Sequence, residues 1–274
     1  MRPRLARGAW VAALAALSLA TRLPALVAAA GTNSDAAIVG LQARHILRHE
    51  WSPFLWGSTY QTSADSTWAA LLFRVFGPTP LVLMLSALSL HVAVTVFVYC
   101  TLRRRMSAAA AFVGALPLVF TTACVHSYAL YPPREMSIAL AFAALFAIDG
   151  AWLALGGALA VLACVADPYA SIFLPAAFVL ALLVVLGASG ELGRRARGMG
   201  AFFAGAAAGA VPLAWLLARP ESKHGVASMS LGVVGHNARL FAHECLPWAI
   251  GTKVFRPLHA MDYAEWRIDR KSTR

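Results

Sequence analysis

The chain has 274 residues, 60% of them hydrophobic and 13% charged, with a net charge of +11 and a mean hydropathy of +0.68. Soluble domains average about 25% charged residues, so this composition excludes an ordinary soluble fold and indicates an all-α integral membrane protein. Nucleic-acid binding is excluded as well, because Lys and Arg cluster at the ends of apolar runs, where the positive-inside rule puts them, rather than along one basic face. Cys100, Cys124, Cys164 and Cys245 are far apart and form no C-x-x-C pair. Most of them act as small hydrophobes in apolar runs.

In chain order, three arginines in Met1–Arg7 precede an apolar run from Gly8 to Ala30 that is interrupted only by Arg22. This run reads as a retained first span, with Arg22 snorkelling to the outer surface. The alternative is a removable signal peptide cut near Ala28-Ala29-Ala30. From Asp35, the spacing of Ile38, Leu41, Ile46 and Leu47 predicts an amphipathic interfacial helix that Ser34 can cap, with Asp35 in its first turn. Trp51, Trp56, Tyr60 and Trp68 suit headgroup depth. Trp68–Phe76, stopped by Gly77-Pro78, reads as a second surface helix. Residues 31–79 thus form a first outer loop.

Pro80–Leu102 has spanning length and is stopped on the inside by Arg103-Arg104-Arg105. Ser107–Tyr128 returns outward to a loop at Tyr131-Pro132-Pro133-Arg134-Glu135. Met136–Ala166 reads as two short spans turning at Asp149-Gly150, because one long span would put Arg194, Arg195 and Arg197 outside. A span from Pro168 to about Leu186 and another over Met199–Leu217 complete about seven transmembrane helices, with the amino terminus inside. Residues 1–218 form the polytopic domain. Residues 219–274 form an outer-face or interfacial segment, with an interfacial helix expected over Leu231–Val254.

This topology collects Asp35, Asp65, Arg134, Glu135 and Asp167 on one face, although they lie far apart in sequence. An intramembrane charge costs about 2.5–3.5 kcal/mol on insertion scales, so these groups belong in a wet cavity or the headgroup layer. An acid beside cations at that depth suits transfer from a lipid-linked phosphate. The departing phosphate needs positive charge and the incoming hydroxyl needs a base. Each residue also has a bland reading. Asp35, Asp65 and Asp167 can simply start helices, Arg134 and Glu135 can be a local ion pair, and Arg44 and Arg48 can meet lipid headgroups in general. His45, His126 and His243 show no ligand-like spacing. Membrane lipids are partners on any reading. A transporter would need paired polar residues within the spans, and only His91 and Asp149 come near that.

Ser34-Asp35 with Ile38-Val39-Gly40-Leu41 and Ala43-Arg44-His45-Ile46-Leu47, then Phe54-Leu55-Trp56-Gly57, Tyr60 and Ala69-Ala70-Leu71-Leu72-Phe73 to Phe76-Gly77-Pro78, resemble the first external loop of GT-C membrane glycosyltransferases. The resemblance is to bacterial proteins akin to dolichyl-phosphate-mannose protein mannosyltransferases, the family 39-like glycosyltransferases. Tyr131–Glu135 and Asp167-Pro168 resemble later outer-face motifs of that family, and the likeness covers residues 10–218. It implies a GT-C-like fold in the cell inner membrane with a periplasmic active face. The implied reaction moves a sugar from a polyprenyl-phosphate donor to a protein, lipid or glycan acceptor. Asp35 falls on the family's general base and Asp65 near its second acid, with Arg44, Arg134, Glu135 and Asp167 as substrate-binding residues. Ala36 replaces the usual acidic neighbour of Asp35, so the resemblance requires no cofactor and leaves a divalent cation open. Family members carry further spans and often a soluble domain. A minimal relative, a fragment, or an inactive protein that binds lipid-linked sugar or assists cell-envelope assembly is the implied alternative.

Overall fold

The computed structural model describes residues 3–27, 33–58, 60–121, 130–187 and 192–219, and the single positions 235, 239, 242 and 243. The described residues are helical apart from turns, loops and one isolated bridge between Phe54 and Thr62. The helices are α1 (Pro3–Val27), α2 (Ser34–Ile46), α3 (Ala64–Phe76), α4 (Pro80–Arg103), α5 (Ala108–Val119), α6 (Glu135–Asp149), α7 (Leu153–Ala166), α8 (Leu174–Gly187) and α9 (Leu192–Leu217). A 3-10 turn over Pro168–Phe173 leads into α8. Met1–Phe120 with Ser127–His224 forms one compact unit, to which these helices belong, and Thr121–His126 with Gly225–Arg274 forms another. The interfacial helix expected over Leu231–Val254 lies almost wholly outside the described residues.

Four helical segments are long and apolar enough to cross a membrane: Gly8–Val27, Pro80–Arg103, Pro168–Gly187 and Leu192–Leu216. Helices α5 and α7 are apolar but shorter. The 12 residues of α5 rise only about 18 Å against a hydrocarbon core of roughly 30 Å.

Local chemistry sets the boundaries. Helix α2 is capped by Asn33, whose side chain accepts the Ala36 N–H at 2.8 Å, so the cap stands one residue before the expected Ser34. Asp35 occupies its first turn, as expected. Helix α3 starts four residues before Trp68, because Ala64-Asp65-Ser66-Thr67 forms a polar first turn that favours an acid. Thr79 caps α4 ahead of Pro80, and Ser107 caps α5. The chain reverses after Asp149 through Gly150, with Ala151 in the left-handed region at φ 60°, so the break expected at Asp149-Gly150 is present.

Packing gives the directions. Arg104 and Arg105 at the end of α4 both pair with Asp149 at the end of α6, and Arg104 also donates to Phe146 O and covers the Phe146 ring. Further back along both helices, Met136 at the start of α6, together with Trp68 of α3, packs on Leu90 and Val94 in the middle of α4. Helices α4 and α6 are therefore parallel. Val185 near the end of α8 and Leu153 at the start of α7 both touch the position of Gly198 near the start of α9. One end of the unit is thus basic, carrying Arg103–Arg105 and Arg194, Arg195 and Arg197. The other carries the first loop, Arg134 and Asp167.

The tightest packing joins α7 to α9. A Cβ built on Gly157 would run into Phe202 O, one on Gly205 into Ala154 O, and one on Gly209 would lie 2.5 Å from Ala158 O. Backbone meets backbone there, as small-residue spacing in apolar helices permits.

Arg22 does not snorkel outward. Its side chain is fully buried and donates to Ser18 O, Val119 O and Leu118 O at 3.2–3.3 Å, with His91 Nε2 at 3.1 Å. Leu118 and Val119 close α5, whose last carbonyls have no N–H of their own helix and carry the negative end of its dipole. Arg22 from α1 meets that end, and His91 Nε2 reaches Leu118 O at 2.8 Å.

Candidate functional site

Three chain segments meet at the first-loop end: the start of α3, the turn into α6, and the junction of α7 with the 3-10 turn. Thr62 is tied to the last residue of α7, its N–H and Oγ1 both directed at Ala166 O at 3.1 and 3.2 Å. Gln42 of α2 donates to Phe54 O and accepts from Ser66 Oγ, which locks the first loop onto α3. These bonds leave Asp65 buried at the seam.

Asp65 holds the entry of α6 from outside that helix. Its Oδ2 accepts the Arg134 N–H and its Oδ1 the Met136 N–H, each at 3.1 Å. A carboxylate there satisfies two donors that a helix start leaves open and faces the positive end of the dipole. It also fixes Arg134 in the left-handed region at φ 114°, a conformation a non-glycine residue holds only when its surroundings impose it. The Arg134 side chain then reaches Asp167, Nε to Oδ2 at 3.2 Å, and lies over the Tyr169 ring at 4.8 Å. Asp167 is 1% exposed in its side chain, and its Oδ1 accepts the Tyr169 N–H to cap the 3-10 turn. Tyr169 is 65% exposed and meets Tyr60 edge to face.

Burial pushes the Asp65 carboxyl up to about 6, against the opposing pull of the Met136 and Arg134 N–H groups and with a further push from Asp167. Glu135 precedes the apolar stretch that starts at Met136. It is buried, and its Oε2 has no hydrogen-bond partner among the described residues. The centre therefore holds three acidic side chains and one arginine.

Of the residues singled out from the sequence, Asp65, Arg134, Glu135 and Asp167 come together here. Asp35 and Arg44 do not. Both are exposed on α2, and the Asp35 carboxylate accepts from the Ser34 hydroxyl at 3.4 Å. Helices α2 and α3 run antiparallel, with Gln42 beside Ser66. That sets Asp35 seven residues, about 10 Å of helix axis, from the level of Asp65. His45, one turn further along α2, pairs with Glu50.

An apolar groove of about 430 Å³ adjoins the centre. It is bounded by Thr62–Ala64 next to Asp65, by Met136 next to Glu135 and by Val165 next to the Ala166–Asp167 junction. Trp68 and Leu71 of α3 and Pro212, Trp215 and Leu216 of α9 form its long walls. At its rim Trp51 lies against Trp215 with ring centroids 6.2 Å apart, and Arg219 stacks on the Trp215 ring at 4.1 Å. The groove was not read from the sequence. Its one local signal is the shared face of Trp68 with Leu71 and of Pro212 with Trp215 and Leu216, at helical spacing. The juxtaposition of α3 with α9 has no sequence signature.

Among the described residues, no group of three or more His, Cys, Asp or Glu side chains is arranged to hold a metal ion. No family model, no curated protein and no solved structure matches this chain.

Proposed function

We propose that the chain is a multi-pass inner-membrane glycosyltransferase of GT-C type, with its amino terminus cytoplasmic, that transfers a sugar from a polyprenyl phosphate to an acceptor hydroxyl at the outer face. One observation carries this reading: an apolar groove of lipid-chain character is bounded by the residues that flank a buried acid centre with one arginine. The groove suits the polyprenyl chain, and Arg134, 41% exposed in its side chain, suits the phosphate. In the reaction the acceptor oxygen attacks the anomeric carbon with inversion and its proton passes to Asp35. The bond from that carbon to the phosphate oxygen breaks, and polyprenyl phosphate leaves with its new charge met by Arg134. Asp65 shapes the turn that presents Arg134. Glu135 and Asp167 orient the acceptor, and Arg44 meets phosphate or headgroups from α2. The fold on this reading has about seven crossings, with α5, α6 and α7 as short, tilted ones beside the four long apolar segments.

The exposure of Asp35 supports its role as base and its distance from Asp65 supports a second reading, a protein that binds lipid-linked sugar without transferring it. Label transfer from radiolabelled polyprenyl-phosphate sugars, in membranes carrying wild type, Asp35→Asn or Arg134→Gln, separates the two. The transferase reading expects transfer by wild type and loss in both variants, with membrane insertion intact. Donor binding with no transfer by any form would establish the second reading instead. Undiminished transfer by Asp35→Asn would remove Asp35 from the mechanism.

A further inference from the structure

At the basic end, a cleft of about 170 Å³ opens between the α6–α7 turn, the end of α8 and the start of α9. Its walls are hydrocarbon from Leu153, Val184 and Val185, and Arg194 and Arg195 stand at its edge. Gly198 keeps it open, since a Cβ there would lie 3.1 Å from Val185 Cγ2 and 3.3 Å from Leu153 Cδ1. The neighbouring cations are committed elsewhere. Arg103 donates to Met106 O, Arg104 and Arg105 pair with Asp149, and Arg197 Nε turns back to Gly193 O. None of the described ion pairs includes Arg195. The surface beside the cleft is apolar, with Leu183, Leu186 and Leu192 all more than half exposed. That exposure fits the hydrocarbon layer in helices of spanning length.

We infer that this cleft binds an anionic phospholipid, its phosphate on Arg195 and Arg194 and the first part of one acyl chain against Leu153, Val184 and Val185. The two halves of the cleft select this ligand class together. A free phosphate has no use for the apolar wall, and a neutral lipid has no use for the guanidinium edge. The Arg195 guanidinium offers several donors to phosphate oxygens, Arg194 adds its charge beside it, and an anionic headgroup adds attraction that a zwitterionic one cancels internally. The inference is independent of the transferase reading, because the cleft lies at the opposite end of the helices from Arg134.

The test is lipid retention by the purified full chain in native mass spectrometry, with phosphatidylglycerol and phosphatidylcholine of identical acyl chains supplied in equal amounts. Wild type is expected to retain phosphatidylglycerol preferentially. Arg195→Gln should cut that preference about fivefold, the scale of one basic side chain at an anionic surface. Arg195→Lys should keep most of it, and Arg197→Gln should leave it unchanged. The inference is overturned if wild type shows no preference, or if Arg197→Gln costs as much as Arg195→Gln, which would mean a diffuse basic belt. Displacement of phosphatidylglycerol by inorganic phosphate would overturn it too, by making the site one for free anions.

Discussion

Replacing Gly205 by alanine should separate two helices that touch through their backbones. The new Cβ would stand 2.6 Å from the carbonyl carbon of Ala154 and 2.8 Å from its Cα, and would also run into that residue's oxygen. Carbon atoms sit comfortably at about 3.5–4.0 Å, so α7 and α9 must part locally by about 1 Å. No rotamer change relieves the clash, because all three obstructing atoms are main chain. A gap of that size forfeits a quarter to a half of each dispersion contact along the seam, and insertion of one methyl group into a filled core typically costs about 1–3 kcal/mol. We expect about 3 kcal/mol here, seen as a fall in melting temperature on the order of 5–10 °C in detergent. Gly200→Ala is the internal control, since nothing lies within 4 Å of a Cβ there and alanine is the better helix former. If thermal unfolding followed by size-exclusion chromatography finds the two variants equally stable, the close approach of α7 and α9 is wrong.

Asp65 gives a pH signature. Its carboxyl is raised to about 6 from 3.8, so the folded state binds the proton more tightly than the unfolded chain does. That contribution to stability is fully present below about pH 4 and is lost as pH rises through about 6, with a ceiling near 3 kcal/mol. Unfolding temperatures measured from pH 4 to 7 should fall in wild type and fall less steeply in Asp65→Asn; parallel slopes would show that Asp65 is not the group titrating. Arg22→Leu should destabilise the chain by about 1–3 kcal/mol, because Val119 O loses its guanidinium donor. A neutral or stabilising result in the same melting assay would return Arg22 to the lipid surface.

What could be read from the sequence follows the range of the interactions involved. Helix starts and stops are local, so the long apolar helix from Pro80, the break after Asp149 and the helix at Asp35 were all legible. The early start of α3 was missed because Ala64–Thr67 is polar, although an acid in a first turn favours a helix. Arg22 was misread for a different reason. A lone arginine near the end of an apolar run defaults to snorkelling, and its real partners, Leu118 and Val119, lie almost a hundred residues away. The acid centre was half legible. Alternating the helices across a membrane brings Asp65, Arg134, Glu135 and Asp167 to one end, but it gives no lateral position, and so it did not separate Asp35 from them. The groove needs α3 beside α9, which no short-range pattern encodes.

The glycine seam between α7 and α9 divides the walls of the groove into a half held by main-chain contact and a half held by side chains. Main chain pressed on main chain cannot slide or roll without collision, so Pro212, Trp215 and Leu216 stand on a rigid post together with Val165. The facing wall, Trp68 and Leu71, belongs to α3, which is held to α6 and α7 by side-chain packing and by the bonds of Thr62 and Asp65. Gly77, at φ 87°, is the joint at which α3 passes into α4. At its other end α3 is fastened to α7 only through the side chain and N–H of a loop residue, Thr62 on Ala166 O, and not by close backbone packing.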